Sequence, residues 1–213
     1  YFRTGKRSDA QTALFTEEQF VELELVNKIR QRVKEWREGG YKGVTGVTER
    51  LLQHWNSPDR ERKLFFCQIE AVETIIYLTE IMPKNPKGLT IPPDLPAEGD
   101  LAKGYKHLKR YGCKMATGSG KTLVMAMLAA WSVINKAQYR QDKRFSDAVL
   151  VVCPNLTVKE RLSVLYPSNP NNYYEKFDLV PRSMLDMLTK GKFFVTNWHS
   201  FLPVDDSKKR SVI

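Results

Sequence analysis

Residues 116–122 read Ala-Thr-Gly-Ser-Gly-Lys-Thr, and few folds can present such a string usefully. Gly118 and Gly120 let the backbone curl with its N–H groups turned inward, toward the oxygens of a phosphate chain. Thr117 and Ser119 complete that curl. Lys121 then reaches the β- and γ-phosphates as a point charge, and the Thr122 hydroxyl takes one position on Mg2+. The loop needs a strand before it and a helix after it, because the helix N-terminus adds partial positive charge where the phosphates lie. Tyr111 to Met115 predicts the short strand, and the apolar run Leu123 to Ile134 predicts a buried helix. The general pattern G-x-x-x-x-G-K-[ST] places a glycine at position 115, where this chain has Met115.

Around this core the periodicity changes along the chain. Residues 1–12 are polar and read as loose. Thr16 with Gln19 resembles a capping box opening a helix. Leu23, Val26, Ile29, Val33 and Trp36 then recur at helical spacing, until Gly39-Gly40 stops it. A second helix is predicted over Glu49–Trp55 and a third over Phe66–Ile81, ended by Pro83. From Pro83 to Asp100 five prolines and two glycines interrupt any regular element. Beyond the phosphate loop, Ala148–Cys153 has the character of a strand buried on both faces. Thr157–Leu165 reads as helix, and an Asn-rich loop follows to Asn172. Phe193–Thr196 reads as a further strand. Strand, helix, strand, helix, strand argues for an α/β fold: a P-loop parallel sheet with flanking helices and right-handed crossovers. The organisation expected is a flexible terminus over 1–15, N-terminal helices over 16–82, a Pro-rich loop over 83–100 and the nucleotide core over 101–213.

Charge singles out the same half of the chain. The formal net charge is +10; residues 1–100 carry 15 basic and 16 acidic side chains, and residues 101–213 carry 19 and 8. The positive excess thus lies with the phosphate loop, which suits a polyanion such as nucleic acid. The three cysteines, Cys67, Cys113 and Cys153, are odd in number and widely spaced. They read as buried free thiols in a reducing compartment. His54, His107 and His199 form no metal spacing with them. No apolar run reaches membrane-spanning length and no secretory signal is present, so a cytoplasmic location is expected. Tyr1 and Ile213 read as cut points in a longer protein.

Two strings follow the later strands: Pro154-Asn155-Leu156-Thr157-Val158-Lys159-Glu160-Arg161 and Thr196-Asn197-Trp198-His199-Ser200-Phe201. Both lie just past strand carboxyl ends, where open α/β sheets bind ligands. Small polar groups, helix-start N–H donors, Lys159 and Arg161 suit a phosphate backbone tracked without reading sequence. Upstream, Gln68 has an amide able to donate and accept together, as an adenine edge requires, and Phe65 is placed to stack on a base.

Taken together, R-K-L-F-F-C-Q-I-E-A, K-M-A-T-G-S-G-K-T, V-V-C-P-N-L-T-V-K-E-R-L and V-T-N-W-H-S-F resemble the restriction subunits of type III restriction enzymes, within the superfamily 2 helicases and translocases. M-A-T-G-S-G-K-T is a form that family uses, which accounts for Met115. The resemblance implies a RecA-like first motor lobe, incomplete over 101–213. It implies ATP and Mg2+ at Thr117–Thr122, with Gln68 as the adenine sensor. Pro154–Thr157 and Thr196–His199 would be strand-tracking motifs on DNA, most simply duplex, and a modification (methyltransferase) subunit would be the partner. It also implies a longer protein that hydrolyses ATP to move on DNA, with a nuclease beyond. Hydrolysis requires a Mg2+-holding carboxylate and a water-positioning one. No Asp-Glu pair occurs in the 213 residues, and Asp205-Asp206 follows no predicted strand. The chain alone is therefore expected to bind nucleotide without turning it over. A P-loop enzyme acting on a small molecule, such as a kinase, and a non-catalytic nucleotide-binding module are the competing readings.

Overall fold

The helix that follows the phosphate loop, α5 (Lys121–Gln138), organises the larger part of the molecule. The computed structural model describes residues 2–4, 20–86, 88–107 and 109–202. They fall into two compact units, one drawn from Tyr1–Val44 and Glu73–Lys114, the other from Thr45–Val72 and Met115–Ile213.

In the first unit, β1 (Phe2–Thr4) pairs antiparallel with β2 (Phe20–Glu22). Residues 2–4 are therefore paired where loose chain was expected. The Thr16/Gln19 capping box lies outside the described residues; because 20–22 is strand, helix α1 begins only at Glu24 and runs to Glu38. Its apolar spacing buries Val33 and Trp36 as expected. Gly39-Gly40 does stop it: Gly40 is left-handed at φ +77°, its N–H reaches the Arg37 carbonyl, and the Tyr41 N–H reaches the Trp36 carbonyl. Those two bonds satisfy carbonyls the helix end would leave open. Glu73 is fully buried in this unit and held on both oxygens. Arg37 donates to one from Nε at 2.8 Å and from its terminal nitrogen, and the Tyr41 hydroxyl donates to the other. Burial and the adjacent Glu73 carboxylate push the Tyr41 phenol well above its ordinary range. The predicted third helix is α3 (Phe66–Ile76), whose residues up to Val72 belong to the second unit; it is continued by a π-helical turn over Tyr77–Ile81 in which the Met82 N–H reaches the Tyr77 carbonyl. The Pro-rich stretch is irregular up to the short α4 (Glu98–Ala102).

The second unit packs α2 (Gly46–Trp55) on α5. Thr45 caps α2 by accepting the Thr48 N–H at 3.1 Å. Thr48 Oγ1 in turn accepts from Trp131 Nε1 and Asn135 Nδ2, each at 3.0 Å, so the polar atoms between the two helices are satisfied. Strand β3 (Ala148–Cys153) is followed by α6 (Leu156–Arg161), a 3-10 turn (Leu162–Leu165), α7 (Tyr173–Lys176), α8 (Leu185–Leu188) and β4 (Lys192–Asn197). β3 and β4 are parallel, in register from Ala148↔Lys192 to Cys153↔Asn197. The Tyr166 hydroxyl accepts the Val195 N–H of β4 at 2.9 Å.

Three expectations are corrected. Tyr111–Met115 is not a strand: it pairs with no strand among the described residues, and Tyr111, Gly112, Cys113 and Lys114 are all exposed, so the alternation of Tyr111, Cys113 and Met115 has no layer to bury it. The parallel sheet accordingly has two strands. β3 is not buried on both faces: Val151 and Cys153 are inside, while Leu150, Val152 and, on β4, Phe194 are exposed, since among the described residues only one face has a layer over it. Of the cysteines all three are free thiols, yet only Cys153 is buried; Cys67 and Cys113 are exposed. Among the described residues no helix is long and apolar enough to cross a membrane.

Candidate nucleotide and nucleic-acid site

The glycines of the phosphate loop adopt the conformation for which they are needed. Gly118 and Gly120 sit at φ +78° and +83°, a region L side chains enter only with strain. The N–H groups of Gly118, Gly120, Lys121 and Thr122 bond to no other backbone group among the described residues. They stand at the start of the 18-residue helix α5, whose dipole favours anions at this end. Ser119 turns inward and donates to the Ala116 carbonyl at 2.7 Å. Lys121 folds back on the loop, with Nζ at 2.8 Å from the Ala116 carbonyl and 3.1 Å from the Met115 carbonyl. Its exposed ammonium is thus held by weak neutral acceptors that a phosphate outcompetes. Thr122 is half-buried beside it. Unpaired N–H donors, a cation on neutral acceptors and open space at Gly118 fit a polyphosphate with its Mg2+.

Gln68 lies against this loop. It is 5% exposed, and its Nε2 donates to the Ser119 carbonyl at 2.9 Å. Its Oε1 accepts the Phe65 N–H at 2.9 Å, so Gln68 closes the first turn of α3 as the third residue of a capping box does. An amide free to read a base was expected; both ends of this one are engaged by protein. Phe65 projects beside it, 62% exposed. Gln68 and the loop are therefore one contiguous group, with the Phe65 ring exposed beside it.

The two later strings also come together, because β3 and β4 are adjacent and end in register. Asn155 follows β3 and caps α6, accepting the Val158 N–H at 2.9 Å. Asn197 ends β4 and caps a 3-10 turn over Trp198–Phe201, accepting the Ser200 N–H at 3.2 Å. Thr196 Oγ1 donates to Ser200 Oγ at 3.0 Å. Pro154, Leu156, Thr157, Lys159 and Arg161 are exposed on one turn, Trp198 and His199 on the other. Both asparagines are expected to touch a ligand; in the structure each side-chain oxygen accepts the N–H of a cap. Sequence reasoning missed Cys153. Its buried thiol lies 3.4 Å from the Asn155 carbonyl and 3.2 Å from the Thr196 carbonyl, joining the two turns from beneath. The signal was available, since Cys153 is the last inward position of β3.

A family model described as type III restriction enzyme, res subunit, matches residues 61–209. The chain belongs to this family. No curated protein and no solved structure matches it. The matched span includes the Gln68 turn, the phosphate loop and both strand-end turns of this res-subunit chain. The family is helicase-like and ATP-binding with a P-loop fold, and a helical chain with a small parallel sheet is compatible with that fold.

Proposed function

We propose that this res-subunit chain is the nucleotide-loading and DNA-tracking part of an ATP-driven DNA motor, a RecA-like lobe acting in the cytoplasm with a modification subunit. The observation that carries the reading is the phosphate loop itself, with left-handed Gly118 and Gly120, unpaired N–H groups and Lys121 parked on its own carbonyls. When bound, ATP with Mg2+ supplies the phosphoanhydride whose cleavage drives such motors. Lys121 would leave the Met115 and Ala116 carbonyls for the phosphates, and Thr122 would hold the metal. Gln68 and Phe65 would receive the base. Because Gln68 donates to Ser119, base recognition and loop shape are linked through one side chain. Pro154–Thr157, Lys159, Arg161 and Thr196–His199 would follow a DNA backbone from the shared end of β3 and β4.

Titration with a fluorescent ATP analogue tests this. Mg2+-dependent binding is expected, with Lys121→Ala weakening it on the order of tenfold or more, as loss of a charge-assisted phosphate contact does. Binding unchanged by Lys121→Ala overturns the reading. With no Asp-Glu pair in the chain, steady ATP turnover by these 213 residues would contradict the proposed division of labour.

A further inference from the structure

We propose that Gln68 is a positioning residue for the phosphate loop, aiming the Gly120 N–H at a phosphate oxygen, so that its effect reaches a triphosphate that carries no base; the inference rests on the nucleotide reading above. The orientation of its amide is fixed by its partners. The Phe65 N–H requires an acceptor and the Ser119 carbonyl requires a donor, so Oε1 faces the first and Nε2 the second. The amide also packs directly on Gly120: a Cβ there would overlap Nε2 and come within 3.3 Å of Cδ. A glycine at the start of α5 is what leaves room for this contact.

The consequence follows from the planarity of the peptide. The Ser119 carbonyl and the Gly120 N–H belong to one peptide unit, and in a trans peptide they point in opposite directions. A bond that draws the Ser119 carbonyl toward Gln68 therefore turns the Gly120 N–H away from Gln68. That N–H bonds to no other backbone group among the described residues. On the other side of the serine the loop is pinned by the Ser119 hydroxyl, which donates to the Ala116 carbonyl at 2.7 Å. A peptide that ends on a glycine rotates at small steric cost, so the hold on this one has to come from outside the loop. Gln68 supplies it from α3, 51 residues upstream. A donor already aimed spares the ligand the cost of ordering it. None of this requires a base, since both ends of the amide meet backbone and the residue is 5% exposed.

The test uses the 213-residue chain and two ligands, each with Mg2+: ATP, and inorganic tripolyphosphate, which has the phosphates without the base. Gln68→Met keeps the side chain long and neutral but removes the donor. It should weaken both ligands by the same factor, on the order of tenfold, as loss of a buried hydrogen bond does. In isotope-labelled protein, tripolyphosphate should shift the Gly120 amide resonance of the wild type and shift it much less in Gln68→Met. Amides of α2 should keep their positions in both, a pattern that a loss of stability alone does not produce. Gln68→Asn retains an amide one methylene short of Ser119; it should match the methionine variant, and it stands in if that variant does not fold. Weaker ATP binding with tripolyphosphate binding unchanged would make Gln68 a reader of the base alone, overturning the positioning role while the nucleotide reading survives. Unchanged binding of both ligands overturns the role as well. A wild-type chain that binds neither ligand in a Mg2+-dependent way overturns the nucleotide reading and the positioning role together.

Discussion

Gly118 and Gly120 share a left-handed backbone but not the same surroundings. A Cβ on Gly118 would meet open space, whereas one on Gly120 would lie 2.3 Å from Gln68 Nε2. Gly118→Ala should therefore cost only the backbone term, about 1 kcal/mol. Gly120→Ala adds the expulsion of Gln68 from Ser119 and should cost roughly 1–2 kcal/mol more, the loss of a hydrogen bond with its donor left buried. Urea unfolding of the two variants decides it; equal losses would mean that Gln68 yields without penalty. Asp142 gives a pH-dependent counterpart. Hydrogen bonds from the Arg144 side chain, then its backbone N–H, hold the Asp142 carboxyl down at about 2. A carboxylate lowered by folding stabilises the protein above its unfolded pKa of about 4, and that contribution fades as pH falls toward the folded value. Asp142→Asn should cost about 1 kcal/mol near neutral pH, given its partial exposure, with the gap to wild type closing between about pH 4 and 2.

At the scale of elements, a tight joint lies where β4 begins. A Cβ on Gly191 would lie 2.6 Å from Cγ1 of Val133 in α5 and 2.9 Å from the Phe193 ring. Val133 is fully buried and cannot swing away. Gly191→Ala should destabilise by roughly 1–3 kcal/mol through overpacking. In the double variant with Val133→Ala the two losses should fall short of additive by about 0.5 kcal/mol or more, because the second change vacates the space the first requires. Thermal melts of the four proteins close that cycle, and strict additivity would remove the proposed contact. Elements of this kind were legible where local chemistry decides them. Gly39-Gly40 ended α1, and the span of β3 was read to the residue. What was not legible depends on neighbours. The valines of β3 record that both faces are apolar, but not that only one is covered. Tyr111–Met115 precedes a phosphate loop as a strand would, but a ladder needs a partner that no local pattern reveals. Gln68 was singled out from its string, yet its contact with Ser119 is 51 residues distant in sequence and invisible to periodicity.

For the whole molecule, the decisive question is which cations hold the protein together and which meet a ligand, because net charge alone does not distinguish them. Arg60 belongs to the first class. Its side chain is buried and donates to the carbonyls of Phe177 at 2.7 Å and Asp178 at 2.8 Å, with His54 and Arg62 carbonyls also in reach. Asp178 sits left-handed past the end of α7, where its carbonyl also meets His54 Nε2 at 2.8 Å. Burial lowers the Arg60 pKa from its ordinary value, the Asp178 carboxylate opposing, so the charge is held by carbonyls rather than by solvent. On the proposed function Lys159 and Arg161 would belong to the second class; both are exposed on α6 beyond the sheet. The two classes predict opposite outcomes in one pair of measurements. Arg60→Met should lower stability by roughly 1–3 kcal/mol, since several part-buried carbonyls lose their donor together. Where the variant stays folded, its DNA affinity should keep the wild-type dependence on salt. Lys159→Ala and Arg161→Ala should each leave stability within about 0.5 kcal/mol, as surface changes do. Each should also flatten the plot of log affinity against log salt by about one unit, the signature of a lost phosphate contact. A salt slope unmoved by both substitutions would show that the basic turn after β3 does not touch the backbone, and the positive excess of residues 101–213 would then have to act from elsewhere on the chain.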